Sequence, residues 1–268
     1  MKPVTIVSLV AMKNAGDKIT SLTAYDYSFA NLLDRAGIEV IIVGDSLGMV
    51  LQGHDNTLPV TLNDMIYHSA CVARGCQRAL IVVDMPFMTY HVNREQALVN
   101  AGRLMQEGRA HMVKIEGGTE IVDTVRFLTE RGVPVCGHVG LTPQAVHQLG
   151  GYKVQGRDTE SAERLRGEAR ALQDAGAGLL VLEAIPLGLA KSISAELAIP
   201  TIGIGAGPSC DGQVLVLQDI LGIYPRPSPK FSKNFMRESD SIKGAVKAFI
   251  AAVRDGTFPG PEHSFQDR

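Results

Sequence analysis

Short apolar runs rich in β-branched residues alternate along this chain with longer stretches whose apolar positions recur three and four residues apart. The runs Ile19–Ala24, Glu39–Val43, Ala79–Val83, Met112–Ile115, Val133–Cys136, Leu179–Leu182 and Ile199–Gly203 read as strands buried on both faces. Helical periodicity fills the intervals at Ser28–Ala36, Thr61–Arg74, Arg94–Gln106, Glu120–Glu130, Glu160–Ala175 and Leu187–Ala195, and a last helix covers Ser241–Arg254. A short eighth strand is expected near Asp219–Ile223. Eight strand–helix units predict an α/β fold, a (β/α)8 TIM barrel, with an extra N-terminal helix within Val4–Met12 and one domain over residues 1–268.

The runs share a way of ending. Asp45, Asp84, Glu116, His138 and Glu183 each stand at or just beyond the C-terminal end of a run, and a barrel gathers those ends around one mouth. One acid after a strand is an ordinary helix cap, but caps favour Ser, Thr, Asn and Asp, and this set holds two Glu and a His. Residues two apart on a strand share a face, so Lys114 and Glu116 enter the mouth together. The Gly-bearing stretch 47–60 after Asp45 reads as a lid. Gly203-Ile-Gly205-Ala-Gly207 lacks GxGxxG spacing and a Walker lysine, so its glycines read as giving a ligand close access to backbone.

Composition narrows the partners. With 26 basic and 28 acidic residues the net charge is −2, which leaves no electrostatic footprint for nucleic acid or an anionic membrane. No run approaches the length of a membrane span. Cys71, Cys76, Cys136 and Cys210 form no CxxC pair, and a reduced, cytoplasmic protein is expected. Val4–Met12 is interrupted by Ser8 and lacks an Ala-x-Ala site, so it reads as a packing helix and not as a signal peptide.

Asp45, Asp84 and Glu116 are oxygen donors suited to a hard cation such as Mg2+, and no His or Cys set supports zinc. Lys114 on the same face would meet a substrate carboxylate or enolate oxygen. Glu183, on the sixth strand, falls across the barrel from Asp45 and is placed as a general base that is not itself a ligand. The reaction these groups fit is enolisation of a 2-oxo acid followed by carbon–carbon bond formation.

Ordered motifs span the chain: Thr23-Ala-Tyr-Asp-Tyr-Ser28, Val43-Gly-Asp-Ser-Leu-Gly48 with Gly53-His-Asp55, Asp84-Met-Pro-Phe87, Val113-Lys-Ile-Glu-Gly-Gly118, Pro134-Val-Cys-Gly-His138 with Gly140-Leu-Thr-Pro143, Gly150-Gly-Tyr-Lys-Val-Gln-Gly156 and Ile202-Gly-Ile-Gly-Ala-Gly207. Together they resemble the 3-methyl-2-oxobutanoate (ketopantoate) hydroxymethyltransferase family of pantothenate synthesis. That resemblance implies transfer of a hydroxymethyl group from 5,10-methylenetetrahydrofolate, a co-substrate, to 3-methyl-2-oxobutanoate. It implies Mg2+ on Asp45, Asp84 and Glu116, substrate contacts from Asp45, Ser46, Asp84, Lys114 and His138, and proton abstraction by Glu183. It also implies a large homo-oligomer, a decamer, with the N-terminal helix at an interface. Departures from the family pattern fall at Gln106–His111 and Tyr224–Pro229.

Three other readings stay open on residues alone. A phosphoenolpyruvate mutase or isocitrate lyase type of barrel also uses Mg2+ on oxo acids, though its Lys-Lys-Cys-Gly-His-type loop is missing. Lys114 would serve a Schiff-base aldolase. A non-catalytic oxo-acid-binding barrel is the third.

Overall fold

Seven strands form where the apolar runs lie, because a strand covered by helices outside and by side chains inside has no solvent face and needs no polar alternation. The structure is a computed structural model describing residues 2–267. Its strands are β1 Ile19–Thr23, β2 Val40–Val43, β3 Leu80–Asp84, β4 Met112–Glu116, β5 Val135–Gly140, β6 Leu179–Glu183, β7 Thr201–Ile204 and β8 Gly212–Leu215. All neighbours pair in parallel and β8 closes on β1, giving a barrel in sequence order. The helices are α1 Ile6–Ala15, α2 Tyr27–Ala36, α3 Leu47–Val50, α4 Leu62–Gly75, α5 Arg94–Gln106, α6 Val122–Thr129, α7 Val146–Leu149, α8 Thr159–Asp174, α9 Leu187–Glu196, α10 Leu217–Leu221 and α11 Ile242–Arg254.

The expected eighth strand is corrected. Residues Leu217–Leu221 are helix α10, ended by Gly222 at φ 65°, whose N–H turns back to the carbonyls of Asp219 and Gln218. The true β8 opens on Gly212 and Gln213, which break the apolar run that marks the other strands. Gly212 is required there, since a Cβ would meet the Ile19 carbonyl at 2.4 Å.

Helix α1 closes the N-terminal end of the barrel. Thr5 and Ser8 cap it reciprocally, Leu9 is fully buried, and Lys13 donates to Asp211 at 2.7 Å and to the Ser194 carbonyl at 2.8 Å. None of the four cysteines is paired in a disulfide. Among the described residues no helix is long and apolar enough to cross a membrane.

Candidate active site

The C-terminal ends of β2 to β6 bring all the sequence-predicted residues into one cavity of about 670 Å³, lined by Asp45, Ser46, Asp84, Lys114, Glu116, His138 and Glu183 among others. Asp45, Asp84, Lys114, Glu116 and His138 are each no more than 5% exposed. The register explains the grouping: Asp84 pairs with Lys114 across β3 and β4, and Glu116 with His138 across β4 and β5.

Lys114 Nζ lies 3.1 Å from Asp84 Oδ1 and 3.6 Å from Glu116 Oε1, so its nearer partner is on the next strand and not its own. Asp84 Oδ2 accepts the Asp45 N–H at 3.1 Å. His138 spans the site, with Nδ1 3.4 Å from Glu116 Oε1 and Nε2 3.2 Å from Glu183 Oε2. Ser46 Oγ shares a 2.9 Å hydrogen bond with the Tyr25 hydroxyl.

This crowding sets the protonation pattern. Burial, then Asp84 and Glu116, raise the Asp45 carboxyl well above the usual range; burial also raises Asp84, against the pull of Lys114. Burial works the same way on Glu116, but Lys114, His138 and the Gln144 N–H outweigh it and hold it low. Burial would discharge Lys114, yet Asp84, Glu116 and Asp45 hold its ammonium. Burial and Lys114 both oppose charge on His138, and its contacts with Glu116 and Glu183 push it up to about 9. The imidazolium so favoured links the acid cluster to Glu183.

Two buried residues complete the frame and escaped the reading of the sequence. Gln144 donates Nε2 to Asp45 Oδ2 at 2.8 Å and to the Met85 carbonyl at 3.0 Å, and its backbone N–H to Glu116 Oε2 at 3.0 Å. Tyr90 donates its hydroxyl to Gln144 Oε1 at 2.7 Å and accepts the Glu116 N–H at 3.2 Å. Gln144 follows the Gly140–Pro143 motif, whose proline opens a short 3-10 turn; its side chain carries no signal of its own.

Backbone geometry fixes Glu183. Gly140 at φ 98° lets β5 approach so closely that a Cβ would stand 2.2 Å from the Glu183 carbonyl, which accepts the Leu141 N–H at 2.8 Å. Ala184, next in the chain, takes φ 47° without being glycine, a local strain of a kind found at functional sites. The stretch expected as a lid begins as α3; Leu47 and Val60 anchor it, while Met49, Val50 and Thr57 line the mouth. The glycines after β7 are filled by protein: a Cβ at Gly205 would meet Phe231 at 2.8 Å, and one at Gly207 would meet Leu187 at 2.8 Å.

The donor set fits a hard cation. Asp45 Oδ1 has no hydrogen bond among the described residues, Asp84 Oδ1 has only the Lys114 ammonium beside it at 3.1 Å, and the charge crowding on both is of the kind a divalent ion relieves. Glu116 is held on both oxygens, Oε2 by the Gln144 N–H at 3.0 Å and Oε1 by His138 Nδ1 at 3.4 Å. Among the described residues no three His, Cys, Asp or Glu side chains converge as a ready cage. Asp45 and Asp84 suit Mg2+, which binds through one or two carboxylates and leaves places for substrate and water.

Comparison with known proteins identifies the family. The family model described as ketopantoate hydroxymethyltransferase matches residues 3–261. The chain is 59% identical over 262 residues to the 3-methyl-2-oxobutanoate hydroxymethyltransferase of Paraburkholderia phymatum, covering 98% of this chain and 96% of that one. It is 58% identical over 264 residues to the protein of that name from Janthinobacterium sp. strain Marseille, with the same coverage. Among solved structures, 2,3-dimethylmalate lyase, a PEP mutase/isocitrate lyase superfamily member, superposes with a TM-score of 0.56 at 18% identity over 80% of this chain and 81% of that one, a likeness of fold alone. With a family match over nearly its whole length and relatives of that name at such identity, this chain belongs to the ketopantoate hydroxymethyltransferase family.

Proposed function

We infer that this protein transfers the one-carbon unit of 5,10-methylenetetrahydrofolate to 3-methyl-2-oxobutanoate, forming 2-dehydropantoate for pantothenate synthesis. The observation that carries the reading is the placement, in a chain of this family, of the Glu183 carboxylate in one cavity with the Asp45, Asp84 and Glu116 acids of the far strands.

Asp45 and Asp84 would hold Mg2+ directly, with Glu116 adding negative charge beside them. Bound there, the ion supplies Lewis acidity to the oxo acid and so acidifies its C3–H bond. Lys114, kept charged between Asp84 and Glu116, faces the negative charge that develops on the substrate oxygen. Ser46, positioned by Tyr25, donates to the substrate. Glu183 takes the C3 proton, with His138 Nε2 3.2 Å from its carboxylate. Apolar lining from Ile42, Val181 and Ile204 receives the branched methyl groups and excludes water from the reacting carbon. C3 then bonds the methylene carbon as that carbon's bond to one of its two folate nitrogens breaks, and this nitrogen gains the proton that balances the one Glu183 removed. One water then supplies the new hydroxyl as the carbon's bond to the second folate nitrogen breaks, and its remaining proton goes to that nitrogen.

The superposable lyase and mutase structures favour no second reading, since their likeness is of fold and the chain lacks the cysteine loop of that group. The test is product formation: pure protein with Mg2+, oxo acid and methylene donor should release 2-dehydropantoate and tetrahydrofolate in equal amounts. No turnover above the protein-free rate rejects the assignment. The reading carries with it a cytoplasmic homo-oligomer, a decamer in keeping with the family, with α1 and its 79% exposed Val7 at an interface. A monomer in sedimentation at micromolar concentration rejects that part.

A further inference from the structure

The mouth has a second side that the chemistry above leaves unused. Opposite the acids, the cavity is walled by Val214, Val216, Tyr224 and Phe231. Of the charged groups on this side, Arg226 is paired with Asp55 at 2.8 Å and Lys230 donates to the Ser264 carbonyl at 2.9 Å, which leaves Asp219, on α10, lining the cavity and 6% exposed. Among the described residues its carboxylate has no hydrogen bond and no ion pair. Nearby polar atoms share its condition, for the Tyr224 hydroxyl and Thr57 Oγ1, of two further lining residues, are buried without partners.

A buried carboxylate left unpaired is unfavourable unless something outside the chain completes it. Burial alone pushes the Asp219 carboxyl up to about 6, which accords with the absence of a protein partner. One carboxylate is too few oxygens for a cation site. It matches instead a flat heterocycle presenting two parallel N–H donors along one edge, as a guanidinium does to a carboxylate. The branched oxo acid fills only a minor part of a cavity of about 670 Å³, a size typical of sites for much larger ligands.

We propose that Asp219 is the recognition group for the pterin ring of the one-carbon donor, accepting hydrogen bonds from its 2-amino group and adjacent ring N–H while Tyr224 and Phe231 pack the ring. This rests on the folate-donor reading above and adds the residue that reads the donor. It puts donor and oxo acid on opposite sides of one cavity, with Glu183 facing the same space.

The test is calorimetric binding of tetrahydrofolate and of its 2-desamino analogue to the full-length protein and to Asp219→Asn. The wild type should bind tetrahydrofolate roughly 10–100-fold tighter than the analogue, the range of a charge-assisted hydrogen-bonded pair. Asp219→Asn should lose a similar factor for tetrahydrofolate and bind the two within about threefold of each other, while its affinity for 3-methyl-2-oxobutanoate with Mg2+ serves as the check on folding. Equal wild-type affinity for both ligands overturns the role of Asp219, whatever the variant does, and leaves the folate reading standing. So does an Asp219→Asn protein that keeps the full preference. A wild type that binds the oxo acid with Mg2+ but neither pterin overturns both.

Discussion

The two ends of this barrel treat buried acids in opposite ways. At the N-terminal end, Asp34 accepts three backbone N–H groups, from Gln77, Arg78 and Ala79, at 2.7–3.1 Å. Glu39 takes the Thr20 N–H and hydroxyl and pairs with Arg254 at 2.6 Å, and Asp211 is held by Lys13 and by Thr201. At the C-terminal end, Asp84 has one backbone donor and the Lys114 ammonium 3.1 Å from its other oxygen, Asp45 has one protein donor, from Gln144, and Asp219 has none. Acids completed by the chain stabilise it; acids left incomplete are open to ligands. The same division of labour belongs to the fold in general, with stability at one face and chemistry at the other.

The strongest way to break this comparison is at Asp84. Asp84→Ala should abolish Mg2+ binding in calorimetry and cut turnover by at least about a thousandfold, several kcal/mol of charge stabilisation. Thermal stability should change much less, because loss of the Lys114 pair is offset by relief of the repulsion Asp84 exerts on Asp45 and Glu116. A variant that retains activity in a chelator would place the chemistry elsewhere.

Asp34→Ala is the mirror case. Three backbone N–H groups lose their acceptor, so the protein should lose about 2–4 kcal/mol of stability in denaturant, while turnover per folded molecule stays within about twofold. A neutral effect on unfolding would remove the distinction between the two ends.

Asp219→Asn should go the other way and stabilise the ligand-free protein. A carboxyl raised from 3.8 to about 6 binds its proton more tightly folded than unfolded, so the folded state bears the full penalty above about pH 6 and none below the unfolded value. The gain should be roughly 1–3 kcal/mol at pH 8 and should vanish near pH 3. Destabilisation at pH 8 would make Asp219 a structural acid.

The acid side of the mouth was legible because each strand there ends in a titratable residue, and topology alone then brings those ends together. Chain order correctly placed Glu183 across from Asp45, and alternation along β4 put Lys114 and Glu116 on one face. Two things stayed hidden. Gln144 and Tyr90 act through long-range hydrogen bonds that no local pattern encodes. Asp219 was read inside a strand because β8 opens on Gly212-Gln213 and is too short to show a run, whereas α10 is compact and apolar. Where β8 was misplaced, the wall it leads into was lost with it.

The central claim is that Glu183 removes the C3 proton of a Mg2+-activated oxo acid, and it needs no folate to test. Protein with Mg2+ and 3-methyl-2-oxobutanoate in heavy water should exchange the C3 hydrogen for deuterium, read by proton NMR. Glu183→Gln keeps the size of the side chain but cannot accept a proton, so exchange should fall by roughly 10²–10⁴-fold, and removal of Mg2+ should stop it. Exchange in Glu183→Gln at the parent rate would contradict the account and move the base to His138.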